Sequence, residues 1–156
     1  MSETDNTAHL ASQPHERMMF NIAIFHFLLP AILFATENLW LIFSVPIACS
    51  LMMILSIWIQ AHRPANKTEL VLAHWQCAWR RSRFLIVSYA VSLVLFLIAW
   101  SVLQGQEDAN MRMIQLAVVG WFCLIPISLT IVGLIILETS ALAQARRGIM
   151  PQKMRL

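Results

Sequence analysis

The residue types able to do chemistry are few in this chain, and their placement narrows the chemistry further. Of the five histidines in the 156 residues, only His26 lies inside a long apolar run. Counted from Met18 it sits about 12 Å along a helix, where an ionisable group is by default a candidate for ligation or proton transfer. Haem ligation would require a second histidine at matching depth. His62 and His74 fall at the border of apolar sequence, and His9 and His15 in a polar N-terminal stretch, so no partner exists. The expected role of His26 is a neutral hydrogen bond to a neighbouring helix, alongside Asn21 nearer the interface. Cys49, Cys77 and Cys123 are odd in number and widely spaced. Reduced, buried thiols are therefore expected rather than a disulfide or a metal site. No Ser–His–Asp set, zinc spacing or glycine-rich phosphate loop occurs, so catalytic residues, metals and cofactors are not expected and the chain does not read as an enzyme. Small four-helix cation-coupled exporters depend on a carboxylate in their first span. Here Glu37 falls in a turn and Glu138 at the end of the fourth apolar run, which disfavours that design. Glu138 is instead placed to pair with an arginine of the basic segment described next.

That segment, His62–Arg83, is the one long polar interruption of an apolar chain, and it carries five of the eleven basic residues. Asn66 followed by Glu69 has capping-box spacing, and no proline or glycine follows from Thr68 until Gly105. One helix is expected to run through the segment into the next apolar stretch. Leu72, Trp75 and Trp79 recur at helical spacing, and Arg80, Arg81 and Arg83 crowd the point where apolar sequence resumes. A helix that lies at a membrane surface and then enters the bilayer has this pattern. His74, Trp75, Trp79, Arg80, Arg81 and Arg83 are accordingly expected to meet lipid headgroups or a protein partner.

The elements that hold these residues follow from composition. The chain is 59% hydrophobic and 12% charged, against about 25% charged residues in soluble domains. A water-soluble fold of this length has too much surface for so few charges, so an all-α membrane protein is expected. Residues 1–17 are polar, lack the basic and cleavage features of a signal peptide, and read as a disordered cytosolic tail. Four apolar runs follow at about 18–36, 39–60, 84–103 and 113–137, each near the ~20 residues that cross a bilayer core. Together they make a transmembrane domain over 18–145. The short Thr36–Asn38 turn and the polar loop from Gln104 to Arg112 imply two antiparallel hairpins. The amphipathic helix over 68–83 is continuous with the third span, and a basic cytosolic tail occupies 146–156. Gly148 and Pro151 should stop the last helix. Ser88 and Ser92, like Gly120, Cys123, Ser128 and Gly133, supply small surfaces for helix contact or for a homo-oligomer.

Cations fix the expected orientation. Ten of the eleven Lys and Arg residues fall in the N-terminal tail, the middle segment and the C-terminal tail, leaving Arg112 alone on the other side. The positive-inside rule then puts both termini and the basic segment in the cytosol of a bacterial inner membrane. The net charge of +3 is explained by this one-sided clustering and gives no reason to expect nucleic acid.

At His74 the chain also resembles small bacterial four-helix membrane proteins distantly similar to an inner-envelope import component of chloroplasts. Those proteins place a basic amphipathic stretch before the third span, with a histidine, an aromatic and then an arginine, matched here by His74, Trp75 and Arg80. Leu142, Gly148 and Pro151 look like the leucine-bearing, Gly- and Pro-terminated end of their last helix. The resemblance implies a fold and no activity. On these grounds the expected function is a non-enzymatic membrane scaffold or accessory subunit. The runner-up is a small oligomeric transporter or channel subunit with His26 and Asn21 facing its interior.

Overall fold

A computed structural model describes residues 3–64 and 67–151 of the chain. All regular structure among them is helical. Helix α1 (Glu3–Phe20) passes without a break into a π-helical segment (Asn21–Leu28) and then α2 (Leu29–Phe34). These are followed by α3 (Leu39–Ala61), α4 (Glu69–Leu103), α5 (Ala109–Cys123) and α6 (Ile125–Arg146). Four helical runs are long and apolar enough to cross a membrane: Asn6–Phe34, Leu39–Ala61, Glu69–Leu103 and Ala109–Arg146. Large apolar side chains stand exposed along all four, with Phe34, Trp40, Val102, Trp121 and Leu129 each about 70% exposed or more. Apolar surface on that scale requires lipid as its solvent, and an all-helical chain satisfies its backbone within each span. The protein is a multi-pass membrane protein.

Local chemistry explains where the helices begin and end. Asn38 caps α3, its side chain accepting from the backbone N–H groups of Trp40 and Leu41 at 3.0 and 3.3 Å. Asp108 caps α5 in the same way, accepting from Asn110 and Met111 at 2.9 and 3.2 Å. Each cap satisfies donors that a helix start leaves free. Pro126 cannot donate to the preceding turn, and the chain tightens at Leu124, whose N–H bonds the carbonyl of Trp121 three residues back. That break separates α5 from α6. Helix α6 ends in a Schellman turn: Ile149 N–H bonds the Gln144 carbonyl and Gly148 N–H the Ala145 carbonyl, both at 3.0 Å. The turn requires the positive φ of 68° that Gly148 adopts. Asn66, half of the expected capping box, and Lys153 and Arg155 of the basic tail lie outside the described residues.

The stretch expected to be a disordered tail is helical from Glu3. The seam that buries Ile22 continues upstream through Met18, His15 and Ala11, at the spacing of one helix face. A polar average concealed this stripe, because its members before Met18 are a histidine and an alanine rather than large apolar residues.

The chain forms two compact units, Met1–Ser82 with Leu134–Leu156, and Arg83–Gly133. In the first, each helix contributes a buried stripe of mostly small or polar groups: Ala11, His15 and Met18 from α1, Ser50, Ile54, Ile57 and Ala61 from α3, Val71, His74, Trp75, Ala78 and Arg81 from α4, and Leu134, Glu138, Ala141 and Ala145 from α6. The alanines let backbones approach closely. In the second unit the buried residues are Leu85, Ser88, Ser92, Cys123 and Ile131.

Candidate functional site

The first unit buries a connected chain of titratable side chains drawn from three helices. Glu138 of α6, His15 of α1 and His74 of α4 are each fully buried. His15 Nδ1 lies 2.5 Å from Glu138 Oε2, and His15 Nε2 lies 2.9 Å from His74 Nδ1. His74 Nε2 then reaches the Ile149 carbonyl at 3.1 Å. The Schellman turn at Gly148 is what aims that carbonyl back at α4. On the other carboxylate oxygen, Arg81 NH1 approaches Glu138 Oε1 at 3.4 Å and donates to the Leu137 carbonyl at 2.7 Å. The two imidazole rings meet edge to face, with centroids 5.1 Å apart.

Two weaker ties surround this core. Ser12 donates to Glu16 Oε1 at 2.9 Å, and the same oxygen takes Arg146 NH2 at 3.4 Å. That pair is largely exposed, so it contributes little. Trp75 is held between two cations, with the Arg17 guanidinium 5.3 Å and the Lys67 ammonium 5.1 Å from its ring centroid. Lys67 also donates to the backbone and side-chain oxygens of Gln60, which ties the start of α4 to the end of α3.

His74 lies outside the apolar stretch 84–103, and its surroundings shift its titration. Burial lowers its pKa, and His15 and Arg81 add to that, while the bond to the Ile149 carbonyl and the Glu138 carboxylate oppose it. Burial raises the Cys77 thiol, which keeps it protonated beside this cluster.

The residues singled out from sequence divide into two groups. His74, Trp75 and Arg81 point into the first unit, while Arg80 and Arg83 are exposed and Trp79 is half-buried. Trp79 contacts Trp58 and His62 at centroid distances of 6.5 and 6.4 Å. Of the six residues expected at a surface, Arg80 and Arg83 are the exposed ones. Glu138 does pair with an arginine of the basic segment, and Arg81 is the one it meets.

Asn21 and His26 sit at the two sides of the π-helical turn. His26 Nδ1 faces the Asn21 carbonyl at 3.2 Å, five residues back in the wide register. The Asn21 amide donates to the Ser50 carbonyl of α3 at 3.5 Å, a bond to a neighbouring helix. Pro30 accounts for the wide turn, since its ring crowds the carbonyl of His26 and a π segment relieves the clash.

His15 was missed in sequence. Its one visible signal was the 11–15–18–22 stripe leading into the first span. Among the described residues no group of three His, Cys, Asp or Glu side chains is arranged to hold a metal ion, and the cysteines are free. What fold and site define is therefore a four-span, all-α membrane protein with a buried acid–imidazole–imidazole chain. Comparison with family models, curated proteins and solved structures gives no match.

Proposed function

We propose that this protein is a non-enzymatic scaffold or accessory subunit of a bacterial inner membrane, with both termini in the cytosol and its helices paired as two hairpins. The lower part of α4 serves as its membrane-surface element. A helix of 35 residues is about 52 Å long, well beyond a ~30 Å hydrocarbon core, so about two fifths of it stands outside the hydrocarbon. The observation that carries the reading is the sorting of three neighbouring arginines: Arg81 is drawn inward to Glu138, whereas Arg80 and Arg83 are exposed. Exposed guanidinium groups at a membrane entry point suit anionic headgroups, at about 1 kcal/mol each.

The test is an R80E/R83E double variant in bilayer nanodiscs containing anionic lipid, with retained lipid measured by native mass spectrometry. Loss of retained anionic lipid is the expected result. Unchanged retention together with unchanged co-purifying protein would sink this reading.

One observation favours a second reading, an oligomeric transporter or channel subunit. The Oδ1 atom of the fully buried Asn21 has no hydrogen-bond partner, and it sits in a π-helical turn, a feature common at functional sites. Loss of transport in a folded His26→Leu variant would favour that alternative over a scaffold.

A further inference from the structure

The chain Glu138–His15–His74–Ile149 carbonyl has a proton count that its own geometry dictates. It contains three hydrogen bonds, and each needs one proton. The Ile149 carbonyl only accepts, so His74 Nε2 carries a hydrogen. The remaining two bonds each take one more. Two neutral imidazoles bring two protons between them, one short of the three required. The third is therefore an additional proton that resides on Glu138, on His15 or on His74, and all three placements leave the group with zero net charge. We propose that this group is a buried single-proton site, and that occupancy by that one proton is what docks α1 against α4 and α6.

Departure in either direction breaks the chain. Removing the proton leaves two acceptors facing each other in one of the two inner bonds. Adding another turns one of those bonds into two opposed donors, unless it settles on Glu138 Oε1. That oxygen faces the Arg81 guanidinium, which is donor-only and already positive. No water replaces the hydrogen bond lost in either case, since His15, His74 and Glu138 are fully buried.

The other charged and titratable groups packed around the site do not substitute for the missing partner. On α1, Glu16 is engaged by Ser12 and Arg146, and Arg17 lies over Trp75. On α4, Arg81 is fixed on α6, Cys77 stays a thiol, and Arg80 is exposed. On α6, Arg146 is drawn to Glu16. The buried stripe of α3, from Ser50 to Ala61, contains no titratable side chain. The loop before α4 brings Lys67, which is held by Gln60.

Hydrogen–deuterium exchange of amides 6–20 tests this in the full-length protein in nanodiscs, over about pH 4 to 10 and corrected for the intrinsic rate. Protection is expected to pass through a maximum and to fall about tenfold per pH unit beyond each flank. In His74→Gln the acid fall should disappear, because the amide supplies one donor and one acceptor without titrating. In Glu138→Gln the alkaline fall should disappear for the same reason. A flat wild-type profile, or an acid fall that persists in His74→Gln, overturns the proposal. If a variant does not fold, the decision rests on nitrogen-15 shifts of the labelled wild-type histidines read together with the carbon-13 carboxyl shift of labelled Glu138. Three protons summed over the two imidazoles and the carboxyl near neutral pH support the proposal, and two or four overturn it.

Discussion

The two compact units of this protein use opposite kinds of interior. Met1–Ser82 with Leu134–Leu156 buries two histidines, a glutamate, an arginine and an asparagine, nearly all in directional contacts. Arg83–Gly133 buries no charged side chain, and its buried polar groups are the hydroxyls of Ser88 and Ser92. The contrast matters because lipid removes the usual driving force. Apolar side chains gain little by leaving lipid for one another, so shape and hydrogen bonds must choose the packing. A chain of short, geometrically demanding bonds admits one arrangement of α1, α4 and α6, whereas a seam of small residues tolerates several.

Breaking the polar interior should therefore have the largest effect. Glu138→Ala leaves both Arg81 and His15 buried without their carboxyl partner, and should cost about 3–5 kcal/mol in thermal or denaturant unfolding in detergent. His15→Ala should cost about 1–3 kcal/mol, by stranding acceptors and donors on Glu138 and His74. If either variant unfolds like a surface substitution, the contrast between the units is wrong. The pH dependence has a definite sign. Burial depresses the His74 pKa, so the stability that its neutral form contributes is present above about pH 6.5 and is lost as pH falls through the lower native value. Unfolding midpoints between about pH 4 and 7 would show it.

Smaller changes sharpen the comparison. Asn38→Ala in the first unit and Asp108→Ala in the second should each cost about 1 kcal/mol, because both side chains cap a helix through two backbone donors. Equal losses would confine the difference between the units to their interiors. Gly148→Ala should cost about 1 kcal/mol through its positive φ, and should also weaken the His74 bond to Ile149, visible as faster exchange in α1. Val94→Ala, on an exposed face of α4 in the second unit, should change stability by less than about 0.5 kcal/mol.

Much of this architecture was legible before any coordinates. Four apolar runs near the bilayer length, with turn signals between them, specified four spanning helices, since an apolar helix in lipid needs only its own backbone bonds. The absence of proline and glycine from Thr68 to Leu103 specified one long α4. Gly148 marked the end of α6 for a local reason, because only a residue free to take positive φ closes that turn well. The sequence also held the arginine that meets Glu138 within a cluster of three, without choosing among them.

Tertiary structure decided the rest. Arg80 and Arg81 are adjacent in the chain, yet only Arg81 is buried, because consecutive positions on a helix point about 100° apart and one face alone meets α6. His15 lies 123 residues from Glu138 and 59 from His74, so no local pattern links them. Periodicity reports which face of a helix is covered. Which distant face covers it, and so which imidazole completes the proton count, is settled only when the helices pack.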